Sequence, residues 1–270
     1  MNDSDQEKAA PPPIEDKAKV TEFEQNKLEH KAFAEAIMSH SVGILTDQGR
    51  GVGTGTLVRF GDTRAILTAW HVIEGSQPED IRFAFRTVGS LHEAPLREFA
   101  PEPTPLLAGQ ALEISRIVRD IPTDIAAVVL DQEQQISPPA ALYDASKIRV
   151  FEIPDRSTLQ FGGFPGDNAI QVGPRAKTIG SVMERVEFDA ALSASKSSKG
   201  QLTLRYGWAG QLKPHGFSGS AVWGGLTSKS PIWTANLTLV GVVTEYSRKD
   251  ELIFATNLEG IVGLLTGLST

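Results

Sequence analysis

A chain of 270 residues, 40% hydrophobic and 22% charged, has room for two modest domains or one large one and enough apolar side chains to fill them, which excludes global disorder. The formal charge of -7 argues against a general nucleic-acid binder, and no stretch approaches the roughly 18 consecutive apolar residues of a membrane span. The absence of cysteine removes disulfides, thiolate metal sites and a cysteine nucleophile together. Residues 1–20 lack the basic-then-apolar pattern of a secretory leader, so the expected location is cytoplasmic.

Residues 1–14 are charged, small and proline-rich, ending in Pro11-Pro12-Pro13, the composition of a disordered lead. From Glu15 the chain turns to helix formers. Val20, Phe23, Leu28, Phe33 and Ile37 fall on one face, predicting a helix over 15–38 in a segment that ends at residue 40. Two roles are open to it: packing against the body, or docking to a regulatory protein partner.

Beyond it the pattern is β-like. Runs rich in Val, Ile, Leu and Thr at 42–45, 51–60, 64–69, 81–85, 112–118 and 125–130 are separated by Gly and Asp and predict strands. The polar stretch from Asp131, with Pro138-Pro139, leads into a linker assigned to 136–148. Further strands are predicted at 149–153, 158–161, 178–187, 201–206, 220–223, 237–244 and 252–256, then a short helix over 258–265. Residues 193–200, with two lysines and four serines, read as an exposed loop. Many short strands without alternating helices argue for an all-β fold of barrels or sandwiches. The linker divides them into one group over 41–135 and another over 149–270.

Chemistry concentrates in three places. Ser218 sits between glycines in His215-Gly216-Phe217-Ser218-Gly219-Ser220. On its residues alone this is either a Gly/Ser turn or a serine presented beside unpaired backbone N–H groups, as acyl transfer requires. His71 follows the apolar run 65–70, where a strand gives way to a turn. Asp124 opens the apolar run 125–130, and a carboxylate at the mouth of a buried strand needs a hydrogen-bonding partner. A hydroxyl, an imidazole and an orienting carboxylate make a Ser-His-Asp triad, with histidine and aspartate in the first strand group and serine in the second.

Taken together, Leu67-Thr68-Ala69-Trp70-His71-Val72, Thr123-Asp124-Ile125-Ala126 and Gly216-Phe217-Ser218-Gly219-Ser220 resemble the histidine, aspartate and nucleophile motifs of trypsin-like serine peptidases, in that family's order. Gly51-Val52-Gly53-Thr54-Gly55-Thr56-Leu57 resembles the glycine-rich strand of bacterial members, and Gly163-Phe164-Pro165-Gly166 their turn at the start of the second barrel. The resemblance spans residues 41–265. It implies two six-stranded antiparallel β-barrels of chymotrypsin-like fold, with an N-terminal helical extension, a short C-terminal helix and the site between the barrels. It also implies Ser218 as nucleophile, His71 as general base and then acid, Asp124 as orienter, and the N–H groups of Gly216 and Ser218 as oxyanion hole. The expected activity is endopeptidase hydrolysis of protein or peptide substrates, with no cofactor, metal, nucleic acid or membrane involved.

The departures from the family pattern are chain-specific. Phe217 stands where digestive members carry the aspartate that pairs with a new N-terminus, so activation by such trimming is not expected. Residues 240–246 resemble the strand that binds substrate backbone through Thr244, and here Glu245 and Tyr246 replace the usual aromatic and glycine, narrowing or closing the pocket. Leu212 is placed near the pocket floor and His215 at the rim. The competing reading is a catalytically idle barrel that binds proteins. An α/β-hydrolase is excluded because no histidine follows His215, and the glycines of 49–55 fit no phosphate-loop spacing. His30, His40 and His92 read as surface or packing residues. No appended PDZ-like module is expected after the second barrel.

Overall fold

The structure, a computed structural model, describes residues 32–46, 51–85, 111–136, 141–165, 169–173, 176–179, 182–198, 200–206, 215–224 and 237–268. Helix α1 (32–40) leads directly into β1 (Ser41–Thr46), followed by β2 (Gly51–Phe60), β3 (Thr63–Ala69), the four-residue helix α2 (Trp70–Ile73), β4 (Arg82–Phe85), β5 (Ile114–Asp120) and β6 (Ile125–Leu130). These strands form an antiparallel path β4-β1-β2-β3-β6-β5. The two-residue β7 (Tyr143–Asp144), inside the stretch read as linker, adds to β2 in parallel.

The second half contains β8 (Thr158–Gly163), a separate ribbon of β9 (Ala169–Gly173) and β10 (Ala176–Ile179), β11 (Val182–Phe188), helix α3 (Ala190–Lys196), β12 (Gln201–Arg205), β13 (Ala221–Gly224), β14 (Thr238–Ser247), β15 (Leu252–Asn257) and helix α4 (Leu258–Thr266). Six of them close into a barrel, β11-β12-β15-β14-β13-β8. The fold is thus mostly β, with one closed six-stranded barrel packed on a second curved sheet, the arrangement of a chymotrypsin-like double barrel.

Alternation along β6 shows how the sequence specifies this packing. Every residue from Ile125 to Leu130 is buried. Ala126, Val128 and Leu130 join Ile44, Leu57, Ile66 and Phe83 on one face of the first sheet. Ile125, Ala127 and Val129 face the opposite way, into a cluster with Leu67, Trp223, Val242 and Ile261 that welds the two halves together. A central strand buried on both faces reads as a continuous apolar run because successive side chains point to opposite sides. The second barrel has its own core of Leu159, Phe161, Phe188, Leu204, Phe217, Val222 and Ile253.

Of the predicted N-terminal helix, residues 15–31 lie outside the described residues. The described turns bury Phe33, Ile37 and Met38 in the cluster between the barrels, together with Leu258, Ile261 and Leu265 of α4. No described helix is long and apolar enough to cross a membrane.

Three expectations are corrected. Residues 149–153 form no strand: Val150 and Phe151 are 57% and 40% exposed and have no ladder partner, so β propensity there has no packed surface to act on. The first half of the exposed loop expected at 193–200, residues 193–196, is instead the end of helix α3, because Asp189 caps α3 by accepting from the Leu192 N–H (2.9 Å) and its other oxygen is held by Arg205 (2.8 Å). The long strand at 178–187 is instead β10 and β11, which belong to different sheets.

Candidate active site

Strand register brings His71 and Asp124 together. β3 and β6 run antiparallel with Ala69 opposite Ile125 and Leu67 opposite Ala127, so the end of one strand meets the start of the other. The chain leaves β3 into α2, which carries His71, while a 3-10 turn, Ile121–Thr123, delivers Asp124. Asp124 sits in the left-handed region at φ 52, ψ 43, with its N–H on the Ile121 carbonyl (3.1 Å) and its own carbonyl accepting from the Trp70 N–H (3.0 Å). Asp tolerates this conformation better than most side chains, at some cost in strain. The second barrel braces the same turn, since the Thr256 hydroxyl donates to the Thr123 carbonyl.

The carboxylate grips the histidine at two points. Oδ1 accepts from the His71 backbone N–H (2.9 Å) and Oδ2 from ring Nδ1–H (2.6 Å). Since a carboxylate only accepts, this geometry holds the neutral ring in the Nδ1–H tautomer and leaves Nε2 free to take a proton. Both groups remain partly solvated, with side-chain exposures of 45% and 31%.

His71 titrates above its ordinary value, chiefly because of the Asp124 hydrogen bond, against the opposing effect of burial, with further help from the negative fields of Asp124, Glu74 and Glu245. The neutral base therefore accumulates only above that raised value. The stability contributed by the charged pair has the opposite dependence: it is fully present below the unfolded histidine value and is lost as pH rises through the raised folded value. Because Glu245 contributes to the field, Glu245→Gln is expected to move the acidic limb of any His71-dependent pH–rate profile to lower pH. The displacement should shrink in high salt, as the exposed carboxylate is screened. A profile unchanged at low ionic strength contradicts this reading.

The turn that carries Ser218 is built by the second strand group and clamped by the first. Gly216 and Gly219 adopt φ 93 and 89, and a Cβ at Gly219 would run into the Thr54 carbonyl and the Thr68 hydroxyl. The turn is tied to β14 by Gly219 N–H to Val243 O (2.7 Å) and Val243 N–H to Ser220 O (2.8 Å), and closed by Ser220 N–H to Phe217 O (2.9 Å). Thr54 in β2 donates its N–H to the Ser218 carbonyl (2.9 Å). Phe217 is fully buried against Phe161, ring centroids 5.0 Å apart at 86°, so apolar packing anchors the turn where an ion pair is impossible. Ser218 itself is half-buried. Among the described residues, no hydrogen bond joins its hydroxyl to His71.

The other predicted site residues lie around this centre. His215 is exposed on the same turn, and Leu212 lies outside the described residues. Thr244 is buried and its hydroxyl donates to the Phe254 carbonyl (3.3 Å) within the sheet. Glu245 is exposed just beyond an irregularity in the β14–β15 ladder, and Tyr246 packs against the second-barrel core. His40 is a packing residue, as expected, its ring beside Tyr143 and Trp223 and its Nδ1–H on the Ala141 carbonyl (2.8 Å). His30 and His92 lie outside the described residues. No group of three or more metal-ligating side chains occurs among the described residues. Thr54 enters the sequence reading only as one member of the glycine-rich strand 51–57, and Ile121, 59% exposed in the turn that presents Asp124, has no pattern that marks it out.

No protein-family model matches this sequence, and no curated protein matches it. Solved structures do match. The scabies mite inactivated protease paralogue S-I1 is 15% identical with a TM-score of 0.53, covering 88% of this chain and 96% of its own. The Rv3671c protease of M. tuberculosis, in an inactive form, is 15% identical with a TM-score of 0.52, covering 90% and 95%. HBP is 12% identical with a TM-score of 0.56, covering 86% and 92%. At these identities the likeness is one of fold, and the fold this chain shares is that of chymotrypsin-like serine-protease proteins.

Proposed function

We propose that the protein is a serine peptidase that cleaves peptide bonds in protein substrates through Ser218, His71 and Asp124. The observation that carries this reading is the two-point grip of Asp124 on His71, with ring Nδ1–H bonded at 2.6 Å and Nε2 left to act as base. Ser218 Oγ attacks the scissile carbonyl carbon while Nε2 takes its proton. The developing oxyanion is received by the N–H groups of Gly216 and Ser218. Nε2 then returns the proton to the departing amine. Water, deprotonated by the same nitrogen, cleaves the acyl-enzyme and releases the acid.

A second reading is an idle barrel that binds proteins without cutting them. It is favoured by the missing hydrogen bond between Ser218 and His71, and by the similarity to an inactivated paralogue. Catalytic hydrogen bonds are often long before substrate arrives, so the filled triad positions weigh more heavily. Incubating the protein with a mixed library of denatured proteins separates the two. The peptidase reading expects new peptide termini that accumulate with time and vanish in Ser218→Ala. Equal termini from both proteins, or none from either while both are folded, overturn it.

A further inference from the structure

Thr54 stands at the centre of a buried network that links both strand groups to the nucleophile turn. Its hydroxyl donates to the Gly216 carbonyl (2.8 Å) and accepts from the Phe164 N–H (3.0 Å), while its carbonyl accepts from the Thr68 hydroxyl (2.8 Å). Its N–H holds the Ser218 carbonyl (2.9 Å). The Gly216 carbonyl can only accept and the Phe164 N–H can only donate, so the hydroxyl proton points to Gly216. Thr54 is fully buried, so water does not compete for these bonds.

The geometry points to the Thr54 hydroxyl as a positioning group for the oxyanion hole, an inference that rests on the peptidase reading above. Gly216, at φ 93, has no Cβ to bias its backbone, so nothing within the residue itself prevents its peptide groups from rotating. Two carbonyls, of Gly216 and Ser218, are fixed against β2 by one residue. These carbonyls belong to the 216–217 and 218–219 peptides, which flank the 217–218 peptide carrying the Ser218 N–H, and that peptide's own carbonyl accepts from the Ser220 N–H (2.9 Å). With both flanking peptides pinned, a flip that would turn the Ser218 N–H out of the cleft is restrained. Oxyanion stabilisation depends on donors that are already aimed when charge develops. Thr68, three residues before His71, completes the link from the histidine-bearing strand to the nucleophile turn.

The test is the second-order rate of Ser218 phosphonylation by a fluorophosphonate probe, with kcat and KM for a peptide substrate where one is found. Thr54→Val removes the hydroxyl at nearly constant volume. It is expected to slow labelling by about tenfold or more, toward the 10²–10³-fold typical of losing an oxyanion donor outright. It should lower kcat while leaving KM unchanged, and Thr54→Ser should restore most of the rate. Thr56→Val is the control: Thr56 accepts from the Ala221 N–H (3.2 Å) across the same interface without touching Gly216, so it should lose thermal stability yet label like wild type. If Thr54→Val does not fold, Thr54→Ala removes the same hydroxyl without adding a methyl group.

Labelling of a folded Thr54→Val or Thr54→Ala at the wild-type rate overturns the inference. So does equal slowing by Thr54→Val and Thr56→Val, which would make the threonines merely structural. A wild type that does not label at all would instead overturn the peptidase reading beneath it.

Discussion

Asp124→Asn is expected to lower kcat by about 10⁴-fold while leaving the fold intact, the size of effect seen when the orienting carboxylate of a Ser-His-Asp triad is amidated. The reason lies in the two bonds that Asp124 makes to one residue, 2.9 Å to the His71 N–H and 2.6 Å to Nδ1. An asparagine offers one accepting oxygen where the carboxylate offers two. If that oxygen serves the backbone N–H, the amide NH₂ faces the ring and Nδ1 must become the acceptor. The ring proton then moves to Nε2, the atom to which the proposed mechanism assigns the Ser218 proton. The raised titration of His71 should fall at the same time, since its largest cause is the Asp124 hydrogen bond. Steady-state kinetics with circular dichroism as the fold control check this. A kcat within tenfold of wild type contradicts the assigned role.

Phe217→Ala is expected to destabilise the protein by about 3–5 kcal/mol, the range for truncating a buried phenylalanine, and to abolish labelling of Ser218 even where folded protein remains. Phe217 is fully buried, meets Phe161 edge to face and forms part of the second-barrel core. It also lies between the two residues assigned to the oxyanion hole, so the cavity left by truncation is inside the turn that carries Ser218. Phe217→Leu, which keeps most of the volume, should retain a larger share of both properties. Denaturant unfolding of the three proteins measures the stability, and the probe measures the turn. A loss under about 1 kcal/mol would mean that the turn is anchored elsewhere.

The largest features of this molecule were legible from residue types and spacing. His71 and Asp124 stood out as polar residues at the ends of two apolar runs, and those runs are the paired strands β3 and β6. Ser218 was legible because glycines flanked it, and the left-handed φ angles of Gly216 and Gly219 show why glycine is needed there. The features with no local signature depend on distant partners. Thr54 is one of two threonines in a Gly/Thr strand, and its importance comes from a carbonyl 162 residues away. Residues 149–153 carry Val, Phe and Ile yet find no strand to pair with. Helix α3 is masked by its serines, whose side chains compete for backbone hydrogen bonds, and its capping Asp189 lies four residues before the serine cluster begins. Glu245 was conspicuous as a charge in an apolar strand, but its influence on His71 requires the end of β14 to face α2 across the barrels.

The central claim is that Ser218 is a base-activated nucleophile facing a formed oxyanion hole. Its most direct measurement is the mass of the peptide containing residue 218 after the folded protein has reacted with a fluorophosphonate probe. The account predicts one phosphonyl adduct on Ser218, formed faster as His71 loses its proton and absent from Ser218→Ala. An unmodified Ser218 in folded protein at saturating probe, or an adduct that persists in Ser218→Ala, would contradict it.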